Sequence, residues 1–385
     1  MLNKDLIARE YDYLDEWIYV DTSLISMPPN RVRKAWKEYI EGYVSCYDQN
    51  YSTYFPEKLK DAKKNLAKLL AVDPKEIAFT HSTSDSMTIL ANSFPFKAGD
   101  NVIITAEEHA SNSIPWLGLE RFGVEVRIAP SREGYVDVKD ITALMDTKTR
   151  IVSTSSVYFC SGFAIDLEAL SEDCHKRNIF LAIDATQSLG RLKLYPKEMG
   201  IDYVAGGGHK GLLGTKSIGY AYCSERLLNQ LHPYTGSLQS VTNGGRPFCL
   251  HHYDEIEWCD GAARLESGNY PFGVIEALSK GVSLINDLGI ENIEQNIRET
   301  EQILRQKLTG IPLRMINPPE KLRTGMFFIF YPEKADPEQV KETLLKNKIK
   351  ATVRYDYIRM TLHLYNSFEQ TDRVADTFRQ IAKLG

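Results

Sequence analysis

Apolar and polar positions change period along the chain. Helical spacing covers Arg31 to Tyr43 and returns from Pro56 to Leu70, where the leading proline suits a first helical position. Short β-rich runs follow at Glu76–Thr80, Asn101–Thr105, Val124–Ala129, Arg150–Ser155, Ile179–Asp184 and Asp202–Ala205. Helical stretches such as Asp166–Arg177 separate most of them. Apolar strands alternating with helices predict an α/β fold with a mostly parallel sheet covered on both faces. After about Ser267 the texture changes. Two long helical segments, Phe272–Leu288 and Asn292–Gly310, precede a strand-like Gly325–Tyr331, a helix near Pro337–Lys346, a hairpin-like Ala351–Leu362 and a last helix, Ser367–Leu384. This part predicts a smaller α+β unit.

Composition narrows the class. The 385 residues are 43% apolar and 25% charged, which excludes a disordered or fibrous chain. A net charge of −5 argues against nucleic acid or an anionic membrane as partner. Six cysteines, none in a CxxC pair, suit reduced thiols. The N-terminus has no apolar signal core and no run reaches membrane length, so the expected location is the cytoplasm. The stretch Cys249–Asp260 is rich in metal-ligand types, but its spacing matches no zinc pattern. It is expected to be a substrate-facing or dimer-facing loop, and no metal is expected.

Ligands of open parallel α/β sheets bind beyond the carboxyl ends of the strands, so chemistry is sought there. Asp184 ends an apolar strand. It is either a helix cap or a carboxylate awaiting a charged partner. Gly206-Gly207-Gly208-His209-Lys210-Gly211 has the letters of a dinucleotide loop, but Leu212–Cys223 reads as loop and strand where that motif needs a helix. What remains is a lysine on a glycine-rich turn, either solvated or desolvated into a nucleophile. Thr83 and Ser84 open a helical stretch as caps or as an anion site. His109 stands at a fourth strand end. Together these supply what a pyridoxal-phosphate site needs: an amine, a carboxylate, an aromatic ring and a phosphate cradle.

Ile183-Asp184-Ala185-Thr186-Gln187-Ser188-Leu189-Gly190 followed by Gly208-His209-Lys210 resembles the class V aminotransferase and cysteine desulfurase group. Glu108-His109-Ala110-Ser111-Asn112, Arg264–Asn269 and Arg359–Asn366 extend the resemblance over nearly the whole chain. It implies fold type I: a large domain at 20–266 with a mostly parallel seven-stranded sheet, and a small domain from 1–19 and 267–385. It implies pyridoxal 5'-phosphate with Lys210 as Schiff-base lysine and proton shuttle. Asp184 would pair with the ring nitrogen, Gln187 would donate to the ring oxygen and His109 would stack on the ring. Thr83, Ser84 and His209 would hold the phosphate. Asn269 would reach the partner's phosphate site in a homodimer, and Arg359 would grip the carboxylate of an amino-acid substrate.

Some positions depart from the group. Desulfurases carry a nucleophilic Cys on a loop shortly before the arginine, and Lys350–Ile358 is short and has none. Gly207 replaces a phosphate-binding Ser, and Phe159 falls near a cofactor-facing Asn. Arg354 is expected either to meet a second acidic group on the substrate or to form a surface ion pair. Cys160 is expected to pack. Transamination or C–S β-elimination is therefore expected ahead of desulfuration, epimerisation or decarboxylation. A scaffold without activity is disfavoured because Lys210 and Asp184 are both present. A nicotinamide enzyme is disfavoured by the missing helix.

Overall fold

The computed structural model describes residues 2–14, 16–44, 51–237, 239–242, 256–268 and 270–384, without the side chains of 43, 44 and 51–56. Its strands are β1 (Ile18–Tyr19), β2 (Ile77–Thr80), β3 (Asn101–Thr105), β4 (Glu125–Ala129), β5 (Thr149–Ser155), β6 (Phe180–Asp184) and β7 (Tyr203–Gly207). They continue with β8 (Gly219–Cys223), β9 (Arg314–Met315), β10 (Met326–Phe330), β11 (Ile349–Lys350), β12 (Thr352–Val353) and β13 (Tyr357–Thr361). The main sheet has seven strands in the order β2-β8-β7-β6-β5-β3-β4. Only β8 runs against its neighbours, so the other strands share one direction and one carboxyl edge.

Side chains alternate across that sheet. Phe79, Ile103, Val152, Leu181, Ile183, Val204 and Tyr222 enter one apolar core. Their neighbours Ala78, Val102, Ile104, Ile151, Ala182, Tyr203 and Ala221 enter a second core on the other face. Away from the edge strand β4, whose Ile128 is exposed, both faces are therefore dry, which is why the inner strands read as continuous apolar runs. The helices Asn30–Val44 and Tyr51–Leu70 pack on Phe272–Leu288 over one face. The second of them starts five residues before the proline that the sequence put at its front. The last helix is also shorter than expected: a 3₁₀ turn, Phe368–Gln370, precedes Thr371–Ile381.

A small antiparallel sheet, β12-β13-β10-β9, lies toward the C-terminus. The chain's start is tied to it. β1 pairs in parallel with β11, and Asp21 bridges to Thr361 at the end of β13. The following residues cross to the main sheet, where the Ser26 N–H donates to the His209 carbonyl at 2.9 Å. No helix among the described residues is long and apolar enough to cross a membrane. The four described cysteines are free.

Two loops at the carboxyl edge interlock. Gly190, after β6, has φ +87°, and a Cβ there would lie 2.2 Å from the Gly211 carbonyl oxygen. A Cβ on Gly211 would lie 2.1 Å from the Leu189 carbonyl oxygen. No side chain of any size fits between these backbones. Gly190→Ala adds a left-handed strain to that clash, and it is expected to lower stability by at least about 2 kcal/mol in urea unfolding.

Candidate active site

Each strand of common direction delivers residues to the same edge. After β2, Ser82 caps the helix Thr83–Ser93 by accepting from the Asp85 N–H. The cap is thus Ser82. Thr83 and Ser84 hold the first helical positions, and their N–H groups have no partner among the described residues. Thr83 is buried, and its Oγ1 lies 2.9 Å from Thr186 Oγ1. Ser84 is exposed and donates to Ser111 Oγ at 2.9 Å. These features make an anion cradle: free N–H groups at the positive end of a helix, flanked by hydroxyls.

After β3, Glu108 is locked by four donors. They are Thr105 Oγ1, Asn112 Nδ2, and the N–H and Oγ of Ser155, all at 2.7 Å. It braces two strand ends and so fixes the neighbouring His109. The His109 Nδ1 accepts from the Ser111 N–H at 3.1 Å and caps the helix Ala110–Leu117. The ring stands edge-on to Phe159 at 5.0 Å with its side open to solvent. Burial and the nearby Lys210 charge lower its pKa.

After β6, Asp184 is buried, and its Oδ1 accepts from the Thr186 N–H at 2.8 Å. Burial raises this carboxyl above its ordinary value, against the pull of Thr186, Lys210 and His109. It is not a helix cap; Ala185–Gly190 forms turns. Gln187 is buried and donates to the Ser23 carbonyl at 3.2 Å.

After β7, no helix follows Gly211, which removes the dinucleotide reading. Burial pulls the Lys210 pKa down to about 8, with Arg359 adding to the shift and Asp184 opposing it. Burial also takes His209 down to about 4, so its imidazole is neutral at pH 7. A Cβ on Gly207 would sit 3.2 Å from the His209 ring and 3.4 Å from Thr83 Oγ1. Thr83 and His209 therefore flank one glycine, and a side chain there would fill the cradle.

The small sheet contributes Arg359 from β13. It is buried, its Nη1 reaches the Phe159 carbonyl at 3.4 Å, and its Nε has no partner among the described residues. Asp21, also buried, accepts from Thr352 Oγ1 and holds Arg359 by charge. Arg354 stands exposed in the turn between β12 and β13 and acts on Arg359 and Asp21 only through its charge. It makes no ion pair among the described residues. That turn is tight: the Arg354 N–H donates to the Tyr357 carbonyl at 2.8 Å. Cys160 donates to Glu107 Oε2 at 2.6 Å, so it has a polar partner that simple packing did not anticipate. Burial, then Glu107, raises its thiol pKa. Asn269 and residues 249–255 of the ligand-rich stretch lie outside the described residues. Among the described ones no group of three or more His, Cys, Asp or Glu could hold a metal ion.

Sequence reasoning missed Asp21, Glu107 and Thr352. A buried aspartate after an apolar strand was the available signal at Asp21. But β1 has two residues, and its partner strand lies over 300 positions away.

A partly neutral buried amine and a buried carboxylate without a bonded cation ask for one ligand that is both carbonyl and cation. Pyridoxal phosphate is such a ligand, and the cradle at Thr83 and His209 suits its phosphate. With strand ends gathered at one edge of a mostly parallel seven-stranded sheet, this defines a fold type I pyridoxal-phosphate enzyme. The chain belongs to the aminotransferase class-V family, whose model matches residues 18–374. A probable cysteine desulfurase of Methanothermobacter thermautotrophicus is 26% identical, covering 98% of each chain. An uncharacterized aminotransferase of Schizosaccharomyces pombe is 28% identical over 91% of this chain and 88% of that one. Among solved structures, the apo cysteine desulfurase of Thermococcus onnurineus superposes with a TM-score of 0.87 at 22% identity, covering 100% of this chain and 98% of that one. The cystine C-S lyase C-DES, in complex with its product cysteine persulfide, gives 0.85 at 20% identity, covering 96% and 99%.

The charges around Lys210 can be tested by sign. Arg359→Gln removes a repelling cation, so the Lys210 titration midpoint is expected above about 8. Asp184→Asn removes an attracting anion, so it is expected below. Rates of Lys210 acetylation against pH, read by mass spectrometry on cofactor-free protein, check both.

Proposed function

We propose that the enzyme cleaves the Cβ–S bond of a small sulfur-bearing amino acid by β-elimination, without a persulfide on its own cysteine. The tight Arg354–Tyr357 turn carries the reading, because it leaves no loop and no Cys before Arg359. Cys160 does not replace that thiol. Its pKa is raised, and a protonated thiol is a poor nucleophile. The full-length similarity to cysteine desulfurases and the fold shared with a cystine C-S lyase support sulfur amino acids as the substrate class.

In this reading, Lys210 would bind the aldehyde carbon of pyridoxal phosphate, Asp184 its ring nitrogen, Gln187 its ring oxygen and His109 its face. Thr83, Ser84 and His209 would hold its phosphate, completed by Asn269 of the other subunit in a homodimer. When bound, the group supplies an electron sink beside the substrate Cα. Arg359 receives the α-carboxylate with its free Nε and a guanidinium that Asp21 keeps charged. Arg354, within charge reach, would meet a second acidic group on the substrate. Lys210 takes the proton from Cα. With a pKa of about 8, about a tenth of it is neutral at pH 7 and half at pH 8, which suits a general base. Loss of the Cα proton and departure of the thiolate from Cβ leave a C=C bond. Hydrolysis of that enamine gives a 2-keto acid and ammonia. Neutral His209 would bind the phosphate as a hydrogen-bond donor, so that binding is expected to persist at alkaline pH.

The visible spectrum of the purified protein with L-cysteine and L-cystine tests the reading. The expected result is an absorption band that Lys210→Ala abolishes, with pyruvate and ammonia released in equal amounts. Cys160→Ser is expected to keep the rate within about threefold, since it touches no reacting atom in this scheme. Alanine formation with sulfur retained on Cys160 would show desulfuration instead. Bleaching of the band that a keto acid restores would show transamination. Arg359→Lys is expected to raise KM about tenfold or more, because one point charge replaces a planar fork.

A further inference from the structure

Two buried side chains outside the cofactor contacts join the parts of the site. Arg191 is 1% exposed, and no carboxylate bonds it among the described residues. Its Nη1 donates to the Gln187 carbonyl at 2.7 Å, its Nε to the Leu362 carbonyl at 2.8 Å and its Nη2 to the Thr324 carbonyl at 2.6 Å. Gln187 belongs to the turn that follows Asp184. Leu362 and Thr324 flank the ends of β13 and β10, the pair that carries Arg359. The nearest charge partner, Glu301, is already occupied by Arg305 and the Gly325 N–H. A guanidinium so placed has no ion pair to hold it, and its planar fork is spent on the spacing of three carbonyls.

His363 makes the second link. It is 0% exposed, and its Nδ1 accepts from the Leu364 N–H at 2.6 Å. Its Nε2 lies 2.8 Å from the carbonyl of Gly211, the residue after Lys210. A carbonyl only accepts, so the ring is the neutral tautomer with the proton on Nε2. Burial, which takes its pKa down to about 3, keeps it so across the working pH range.

We infer that Arg191 and His363 are positioning residues that fix the distance between Lys210 and Arg359. The Asp184 and Lys210 loops already interlock at Gly190 and Gly211. Arg191 ties the first loop to the end of β13, and His363 ties the second. The substrate carboxylate and the proton-transferring amine are then referred to one rigid frame. The inference rests on the proposed roles of Lys210 and Arg359.

Asparagine and glutamine separate the two bonds of His363. Asn can accept from the Leu364 N–H but cannot reach Gly211, whereas Gln places an N–H farther out. In the full-length, cofactor-loaded protein, His363→Asn is expected to admit water to the Lys210 loop. The pH midpoint of the visible band should then rise by about half a unit or more, as desolvation is relieved. Spectral titration should also show L-alanine binding weakened about tenfold. His363→Gln is expected to recover most of both. Arg191→Lys should weaken L-alanine binding while leaving the midpoint near that of the wild type, because its bonds go to Gln187 and β13. A residue serving stability alone would lower the melting temperature in all three variants and move neither the midpoint nor the affinity, and that result would overturn the inference. Equal behaviour of Asn and Gln would overturn it as well. Should His363 variants not fold, Arg191→Lys decides by its affinity. Amide exchange of 208–214, which does not depend on Lys210 chemistry, is expected to quicken in His363→Asn. A band that survives Lys210→Ala would instead sink the assignment of Lys210, with the exchange result standing apart.

Discussion

The contact of Gly190 with the Gly211 carbonyl sets the rest of the site. Two loops leave adjacent parallel strands and meet backbone to backbone, with no room for a side chain at either glycine. That contact closes the sheet edge beneath Lys210 and Asp184. Burial is the first cause of the pKa shifts at both residues. The seven-stranded sheet supplies the common edge, and the glycine interlock sets the loops after Asp184 and Lys210 against each other.

Charges in the dry region form a short series. Asp184 faces Lys210, Lys210 feels Arg359, and Arg359 is offset by Asp21. The two cations stand next to each other and repel, and the anion at either end lowers the cost of burying its neighbour. Asp21 arrives from the chain's start, through β1 and its pairing with β11. The N-terminal segment therefore completes the electrostatics of the substrate side, while Gln187 and His209 hold it at Ser23 and Ser26. The same strap acts by charge on the proposed carboxylate grip and bonds the backbone of the proposed phosphate grip.

Much of this was legible in the sequence because the main sheet is buried on both faces. Fully apolar runs such as Val102–Ile104 and Leu181–Ile183 allow few alternatives, and their ends point to one edge by the parallel-sheet rule. Lys210, Asp184 and His109 are singled out as candidates by looking there. Capping was harder. Ser82, Thr83 and Ser84 are chemically alike, and only the backbone angles assign the cap to Ser82 and free the next two N–H groups. The helix start at Tyr51 was hidden because a proline at its sixth position mimics a first. Asp21, Arg191 and His363 were illegible as partners because their bonds span loops distant in sequence.

The small sheet bears on reaction choice. β13 carries Arg359, and the same strand begins at the tight turn from β12. The connection is too short to carry a thiol toward the arginine's ligand, and it contains no Cys. Here the ladder is kept, with Thr352 opposite Arg359 and bonded to Asp21. The short hairpin keeps the guanidinium in its ladder and carries no thiol ahead of it. A proposed carboxylate grip and amine held in one frame, with no thiol ahead of the arginine, support the proposed elimination over persulfide formation.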